Sequence, residues 1–565
     1  MCGIAAIVAS GARRFRAGIE AMTGALAHRG PDGQGYDFFE RCVLGHSRLS
    51  IIDLSGGAQP MRGPGGLTSV SFNGEIYGYQ DAKRALPDYP FATSSDTEVI
   101  LALYRRHGAA APEHLPGMFA FALWDEERQS LLCARDRFGE KPLYYAFGPG
   151  GELLVASEIK ALAASGLIDP VLDLDALGHY LTYLYIHPSR TAYANVFTLP
   201  PAHSLEWRDG QVTVRPYWRL PEVDDSIGEK EAVERFRELM ERSVARQMVA
   251  DVPVGVLLSG GLDSSTIAAL AARRSGRVLT FAFGFGNNID ELPYAQAVAD
   301  MHGTDHHVLT DQDTSIAALI LRMAQVHDEP FADSSCIPTY LISGLCREHV
   351  KVVLSGDGGD ELLAGYDFWY RQLLDLGPQA LSRHTLQKRY FTPEELSAMG
   401  FSGRLGAPSP SFTPDGRVDD AWRDDLTDYM PGDILVKTDR ASMAHGLELR
   451  APFLDADLAG FCASLPARLK IVPGQSKRIL RLACSHLWPE SVRVRGKQGF
   501  GAPVAAWLAR PDVEELRRDM LLDPARGIWN LFDRKACLDL AGSHTYKAWI
   551  LLTLSVWLEH NRLVP

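Results

Sequence analysis

The run Val256-Leu257-Leu258-Ser259-Gly260-Gly261-Leu262-Asp263-Ser264-Ser265 constrains this chain more than any other stretch. An apolar segment, 252–258, leads into it and reads as a strand, and 266–274 follows as a helix ending near Gly276. A glycine- and serine-rich loop between strand and helix places backbone N–H groups and hydroxyls around an anion, and the helix N-terminus adds positive potential. Asp263 would repel an anion bound alone. It fits if Mg2+ bridges the carboxylate and a phosphate. The run lacks the Gly-Lys-Ser/Thr ending of a Walker A loop. A plain glycine turn accounts for the glycines and serines but gives no reason for the Asp and the paired serines.

The surrounding segment alternates as a parallel sheet requires. Strands are expected at 252–258, 278–284, 306–309 and 350–354, with helices at 266–274, 290–302, 314–326 and 338–349. Right-handed crossovers follow, and ligands collect beyond the carboxyl ends of the strands. That brings Leu258 to Ser265, Phe283 and a second glycine-rich loop, Ser355-Gly356-Asp357-Gly358-Gly359-Asp360-Glu361, around one site. Three acidic groups in the second loop suit a metal–nucleotide complex or a substrate anchor; an Asp/Gly surface turn is the bland alternative. Helices at 229–249 and 546–560 read as core, and 402–416 as a loop or insertion.

Residues 1 to about 215 read as β-rich, with short apolar runs between Gly, Pro and Asp clusters. Cys2 is a candidate nucleophile there. Removal of Met1 would leave a thiol and an α-amine on one residue, and an amine of pKa about 8 can take the thiol proton. A small buried residue in a first strand is the alternative. Arg48, the Asn73-Gly74-Glu75 segment and Asp96 supply what acyl transfer from glutamine needs. A guanidinium pairs with the α-carboxylate, carboxylates pair with the α-ammonium, and an Asn amide with a backbone N–H makes an oxyanion hole.

In combination, MCGI, HRGPDG, RLSIID, NGEIY, SDTE, RDRFGEKPLYY and SEIKAL resemble the N-terminal-nucleophile glutaminase domain of class II glutamine amidotransferases, in the asparagine synthetase branch. SGGLDSS resembles the pyrophosphate-binding loop of adenylating enzymes. DILVKTDRASMAHGLELRAPFLD, GQSK and RGKQGFGAP resemble the family's synthetase domain. The resemblance covers nearly the whole chain. It implies an α/β and α+β protein: an α/β/β/α sandwich at 1–215, a linker at 216–228, and a parallel-sheet ATP-pyrophosphatase domain (adenine nucleotide α-hydrolase-like) at 229–565. It implies Cys2 as nucleophile, Asn73 and Gly74 as oxyanion hole, and Arg48, Ile51, Asn73, Glu75 and Asp96 as the glutamine site. ATP would meet Leu258, Ser259, Gly260, Gly261, Asp263, Ser264, Ser265, Phe283, Ser355 and Gly356, with Mg2+ on Asp263 and Asp360. Lys437, Arg440, Lys477 and Lys497 are the cations for a pentavalent α-phosphorus and departing pyrophosphate, Arg440 and Lys497 foremost. Asp333, Asp357, Asp360, Glu361, Glu448 and Arg450 would meet the acceptor; Glu448 and Arg450 read equally well as a structural ion pair.

The implied reaction joins ammonia from glutamine to an adenylated carboxylate, with aspartate the leading acceptor. Asp357 and Gly359 stand where some family members have Glu and Ser. DEPFADSS, 328–335, also occurs in amidotransferases of surface-sugar or secondary-metabolite pathways. A sugar acid, secondary metabolite or peptide carboxylate is therefore the alternative acceptor. A second alternative is a ring-closing adenylating ligase resembling β-lactam synthetases and lasso-peptide cyclases. Those usually lack a working glutaminase, whereas Cys2, Arg48, Asn73, Gly74, Glu75 and Asp96 are all present here. SGGLDSS, Asp360 and Lys497 argue against a non-catalytic binding protein.

Composition bounds the partners. A net charge of −13 argues against nucleic acid. The longest apolar run, 548–558, is too short to span a membrane. No Lys or Arg precedes the apolar N-terminus, so a secretory signal is a poor reading. Eight scattered cysteines without CxxC read as reduced thiols. The expectation is a cytoplasmic enzyme using glutamine, ATP, Mg2+ and a small carboxylate; a homodimer is the assembly the resemblance allows.

Overall fold

The structure, a computed structural model, describes residues 1–284, 291–310, 314–404, 410–496 and 501–561. Among these residues the N-terminal part forms two six-stranded antiparallel sheets. Gly3–Val8 lies inside the first, between Leu153–Ala156 and Cys42–Arg48. Thr68–Glu75 lies inside the second, beside Met118–Asp125. Ile4, Val8 and Leu44 of one sheet meet Ala122, Trp124 and Leu131 of the other in a buried layer. Their alternation along each strand produces that layer, since every second side chain faces the same way. Helix Arg16–Ala25 covers the first sheet and helix Thr97–His107 the second, giving the α/β/β/α sandwich.

The C-terminal part is built on a parallel sheet. Its strand order is Asp305–Thr310, Leu279–Gly284, Val254–Leu257, Val352–Leu354 and Glu448–Arg450. Four of these match expected strands. The fifth, Glu448–Arg450, has only three residues with charges at both ends, so neither alternation nor an apolar run announces it. The helix after the first loop spans Leu262–Ser275 and so starts before the expected residue 266. Gly260 makes the turn, with φ of +71°, and a Cβ there would lie 2.6 Å from the Ala295 nitrogen. Asp263 and Ser264 consequently occupy the first helical turn, which carries the helix's N-terminal positive potential, and the Ser265 N–H donates 3.0 Å to the Gly261 carbonyl, the first i to i−4 bond.

Residues 216–228 are largely irregular. The two parts nevertheless share a core. Helix Leu174–Tyr183 packs against the final helix, Tyr546–His560, and the Tyr180 hydroxyl donates 2.8 Å to the Ile550 carbonyl. Among the described residues no helix is long and apolar enough to cross a membrane. All eight cysteines are buried and free of disulfides.

Candidate functional site

Two pockets bring most of the expected residues together. In the N-terminal one, the Cys2 backbone N–H donates 2.9 Å to Asn73 Oδ1. That contact settles which way the amide points. Asn73 Nδ2 is then buried without a hydrogen-bond partner. Leaving a buried donor unpaired costs roughly 1–3 kcal/mol; an unpaired donor on the side chain that bonds the Cys2 N–H is what a forming oxyanion would use. Gly74 follows in the same strand, which presses against its neighbour: a Cβ there would lie 2.1 Å from the Met118 carbonyl oxygen. No other residue fits at that point.

Cys2, Arg48, Ile51, Gly74, Glu75 and Asp96 line this pocket, along with Met1 and Glu448. Burial pushes the Cys2 thiol up, against the pull of the N-terminal ammonium. Arg48 is steered by main-chain oxygens, its Nη2 donating 2.7 Å to Asp53. Asp96 accepts 2.9 Å from the Ile76 N–H, and burial raises its pKa to about 6 despite that bond. Glu75 is also held well above the usual carboxylate range, by burial and by neighbouring Asp96, with Arg450 opposing.

Of the two readings for Glu448 and Arg450, the structure has the ion pair: Glu448 lines this pocket, Arg450 lies behind it, and neither lines the acceptor cavity. Met1 places its ammonium 2.9 Å from Glu448. Arg450 bonds Glu448 at 2.7 Å and Glu75 at 3.1 Å. The reason is the period of two along a strand. Glu448 and Arg450 face the N-terminal part, and only Leu449 between them reaches the other cavity.

The second cavity, of about 560 Å³, opens at the carboxyl ends of the parallel strands. Its size is that of a small-molecule or cofactor site. Leu258, Ser259, Gly261, Asp263 and Ser264 line it, with Phe283, Asp333, Ser355, Gly356, Asp357, Asp360 and Glu361. Gly260 and Ser265 stand outside its wall. Lys477 pairs with Asp263 and, at 2.6 Å, with Asp360, and these partners outweigh burial and keep its ammonium charged. Lys437 bonds Asp333 at 3.1 Å and Ser335 Oγ at 2.9 Å. Burial raises Asp357, although the Ser355 hydroxyl donates to it at 2.7 Å. Burial raises Glu361 to about 7, with Asp360 adding to the shift.

Arg440 does not reach this cavity, which corrects the expectation for it. It lies one turn beyond Lys437 on helix Leu435–Met443, where Glu158 at 2.8 Å and Asp328 at 3.3 Å take its guanidinium. Lys497 and residues 285–290, which include the expected start of a helix at 290, lie outside the described residues, as does part of the 402–416 loop. Sequence reasoning missed Asp433 and Arg495 in the wall. Asp433 sits four residues before Lys437, a spacing that could have flagged a shared helical face.

Buried ions run between the pockets. Arg29 Nε donates 3.1 Å to the Cys2 carbonyl, and its two other nitrogens reach Asp439 at 2.8 Å each. Glu158 then joins Arg29 at 2.7 Å to Arg440. Asp439 and Lys437 share one helix. Arg29→Met leaves Asp439 and Glu158 buried with too little positive charge. We expect it to destabilise the protein by about 3–5 kcal/mol, read as a lower denaturant midpoint; an unchanged midpoint would contradict this.

Comparison with known proteins gives concordant matches. The "Asparagine synthase" family model matches residues 235–559 and the "Glutamine amidotransferase domain" model residues 1–218. The chain is 32% identical to asparagine synthetase (glutamine-hydrolyzing) 1 of Bacillus subtilis (strain 168), covering 96% of this chain and 93% of that protein. It is 31% identical to asparagine synthetase (glutamine-hydrolyzing) 3 of the same organism, over 85% of this chain and 83% of that one. Amidase chry2 of Gibberella zeae is 30% identical, over 90% of each.

Proposed function

The chain belongs to the glutamine-hydrolysing asparagine synthetase family, and on that footing we propose how its two pockets divide the work of an ATP-dependent amide ligase. The N-terminal pocket, lined almost wholly by residues of 1–215, releases ammonia from glutamine. The larger cavity, lined mainly by residues of 229–565, activates an acceptor carboxylate. The observation that carries the first half is the buried, unpartnered Asn73 amide beside Cys2.

With Met1 removed, the Cys2 α-amine takes the thiol proton and the sulfur attacks the glutamine amide carbon. Asn73 Nδ2 and the Gly74 N–H stabilise the oxyanion. The C–N bond breaks, ammonia leaves, and water cleaves the thioester to glutamate. Arg48 pairs with the glutamine α-carboxylate, and Glu75 and Asp96 with its α-ammonium. In the cavity, an acceptor carboxylate oxygen attacks the ATP α-phosphorus as the bond to pyrophosphate breaks. Ammonia then attacks the acyl carbon, AMP leaves and a proton is lost. Lys437 and Lys477 supply positive charge toward the phosphates. Asp263 and Asp360 fit Mg2+, since both already converge on one cation, Lys477; when bound, the metal would neutralise phosphate charge. Aspartate is the first acceptor to assay, because the relatives' names specify asparagine formation.

Pyrophosphate release on addition of a carboxylate tests the second half; release that no carboxylate stimulates would refute it. Asp96 gives the first half a pH signature. Below about pH 6 its carboxyl is protonated and offers no charge to the substrate ammonium. A proton must then leave for glutamine to bind, so affinity rises with pH up to that point. The KM for glutamine should grow as pH falls through 6, by up to about tenfold per unit, and Asp96→Asn should flatten the dependence at a higher KM. A flat profile in the unmodified enzyme would remove Asp96 from the site.

A further inference from the structure

The C-terminal cavity has two chemically different walls. At the strand ends, Leu257, Phe281, Phe283, Ile342 and Leu449 line it and form one apolar cluster. That wall suits a nucleobase over the phosphate loop. The other wall is aromatic and is assembled from distant segments: Tyr185, Trp369, Tyr390, Tyr429 and Tyr546. Tyr429 contacts Tyr185 at 6.1 Å between ring centroids and Trp369 at 5.8 Å. Tyr390 and Tyr546 pair at 4.8 Å. The aromatic wall adjoins the charged centre, because Tyr429, Asp433 and Lys437 follow one another four residues apart along continuous helix and all three face the cavity.

Free aspartate has no use for such a wall. It carries two carboxylates and an ammonium on a very small carbon frame. Asp333, Ser335 and Lys437 can meet those charges, whereas ring faces repel carboxylates, and burying a carboxylate against them unpaired is unfavourable. Packed aromatic faces reward another ring, by about 0.5–1.5 kcal/mol per contact.

We propose that the acceptor carboxylate is borne on a ring-bearing body, aryl or pyranose, whose face lies against Tyr185, Tyr429 and Trp369 while the carboxylate reaches toward Lys437. The proposal rests on the amide-ligase reading above. It adds the class of substrate, and it gives the aromatic wall a role that free aspartate does not.

The test is AMP formation by the full-length enzyme with ATP, glutamine and one of four acids: aspartate, glucuronate, 3-phenylpropanoate or N-benzoyl-aspartate. At least one ring-bearing acid should exceed aspartate in kcat/KM by about tenfold, the worth of one or two ring contacts. Glucuronate in the lead identifies a pyranose; an aryl acid in the lead identifies an aryl body. Trp369→Ala should remove the preference and Trp369→Phe should keep it, with the KM for ATP the same in both and thermal melting confirming the fold. Aspartate as the best acceptor, with a rate that Trp369→Ala leaves unchanged, overturns the proposal and leaves the amide-ligase reading standing. A raised KM for ATP in Trp369→Ala assigns the wall to the nucleotide and also overturns it. AMP from none of the acids, whether glutamine or ammonium supplies the nitrogen, would count against the amide-ligase reading itself.

Discussion

Replacing Cys2 by Ala in protein freed of Met1 should lower glutamine-supported amide formation by roughly a thousandfold or more, while the ammonium-supported rate stays within about twofold. The asymmetry follows from the layout. Cys2 lines the N-terminal pocket, and no part of the acceptor cavity includes it. Without the sulfur, no covalent intermediate forms and glutamine keeps its amide nitrogen. Ammonia added from solution enters at the later step, which needs only the cavity. The substitution is small and changes no charge, so the Arg29 bond to the Cys2 carbonyl survives it. Equal loss of both activities would contradict the two-site scheme. Rates should be measured with saturating glutamine and with ammonium chloride on the same preparation, and glutamate release followed separately.

Asp263→Asn should behave in the opposite way. Both glutamine- and ammonium-supported synthesis should fall, by about a hundredfold or more, the scale seen when one preorganised electrostatic group is removed from a reacting centre. Asp263 stands in the first turn of helix Leu262–Ser275 and pairs with Lys477, which also holds Asp360. Neutralising it frees Lys477 to shift toward Asp360 and removes one of the two carboxylates proposed for Mg2+. Glutamine hydrolysis in the absence of acceptor should continue, because that chemistry lies in the other pocket. An unaffected ammonium-supported rate would take Asp263 out of the mechanism.

The two outcomes together reflect how legible each part was in the sequence. The SGGLDSS loop was readable because strand, glycines, acid and helix are consecutive, and local chemistry alone determines their arrangement. Four of the five parallel strands were readable as apolar runs between helical stretches. Cys2, Asn73 and Asp96 were legible as residue types; the fold brought Cys2 and Asp96 into one pocket and set Asn73 behind it, bonded to the Cys2 N–H. What escaped depended on direction or on distant partners. Arg440 and Lys437 are three residues apart, yet only one faces the cavity; the other is taken by Glu158 and Asp328, which no local pattern announces. Glu448 and Arg450 belong to a strand too short to show its alternation in the sequence, so their facing became visible only once the strand was paired with Val352–Leu354. The aromatic wall draws on residues from Tyr185 to Tyr546, and a wall gathered over that span leaves no mark in any window of sequence.

The central claim is that glutamine nitrogen is joined to a carboxylate activated by adenylation. The most direct measurement uses an acceptor carrying 18O in its carboxylate, with amide-15N-glutamine and ATP, and analyses all products by mass spectrometry. The account predicts AMP bearing one 18O, pyrophosphate, glutamate, and an acceptor amide bearing 15N, in equal amounts. Formation of ADP and 18O-labelled phosphate instead, or an amide without 15N, would contradict it.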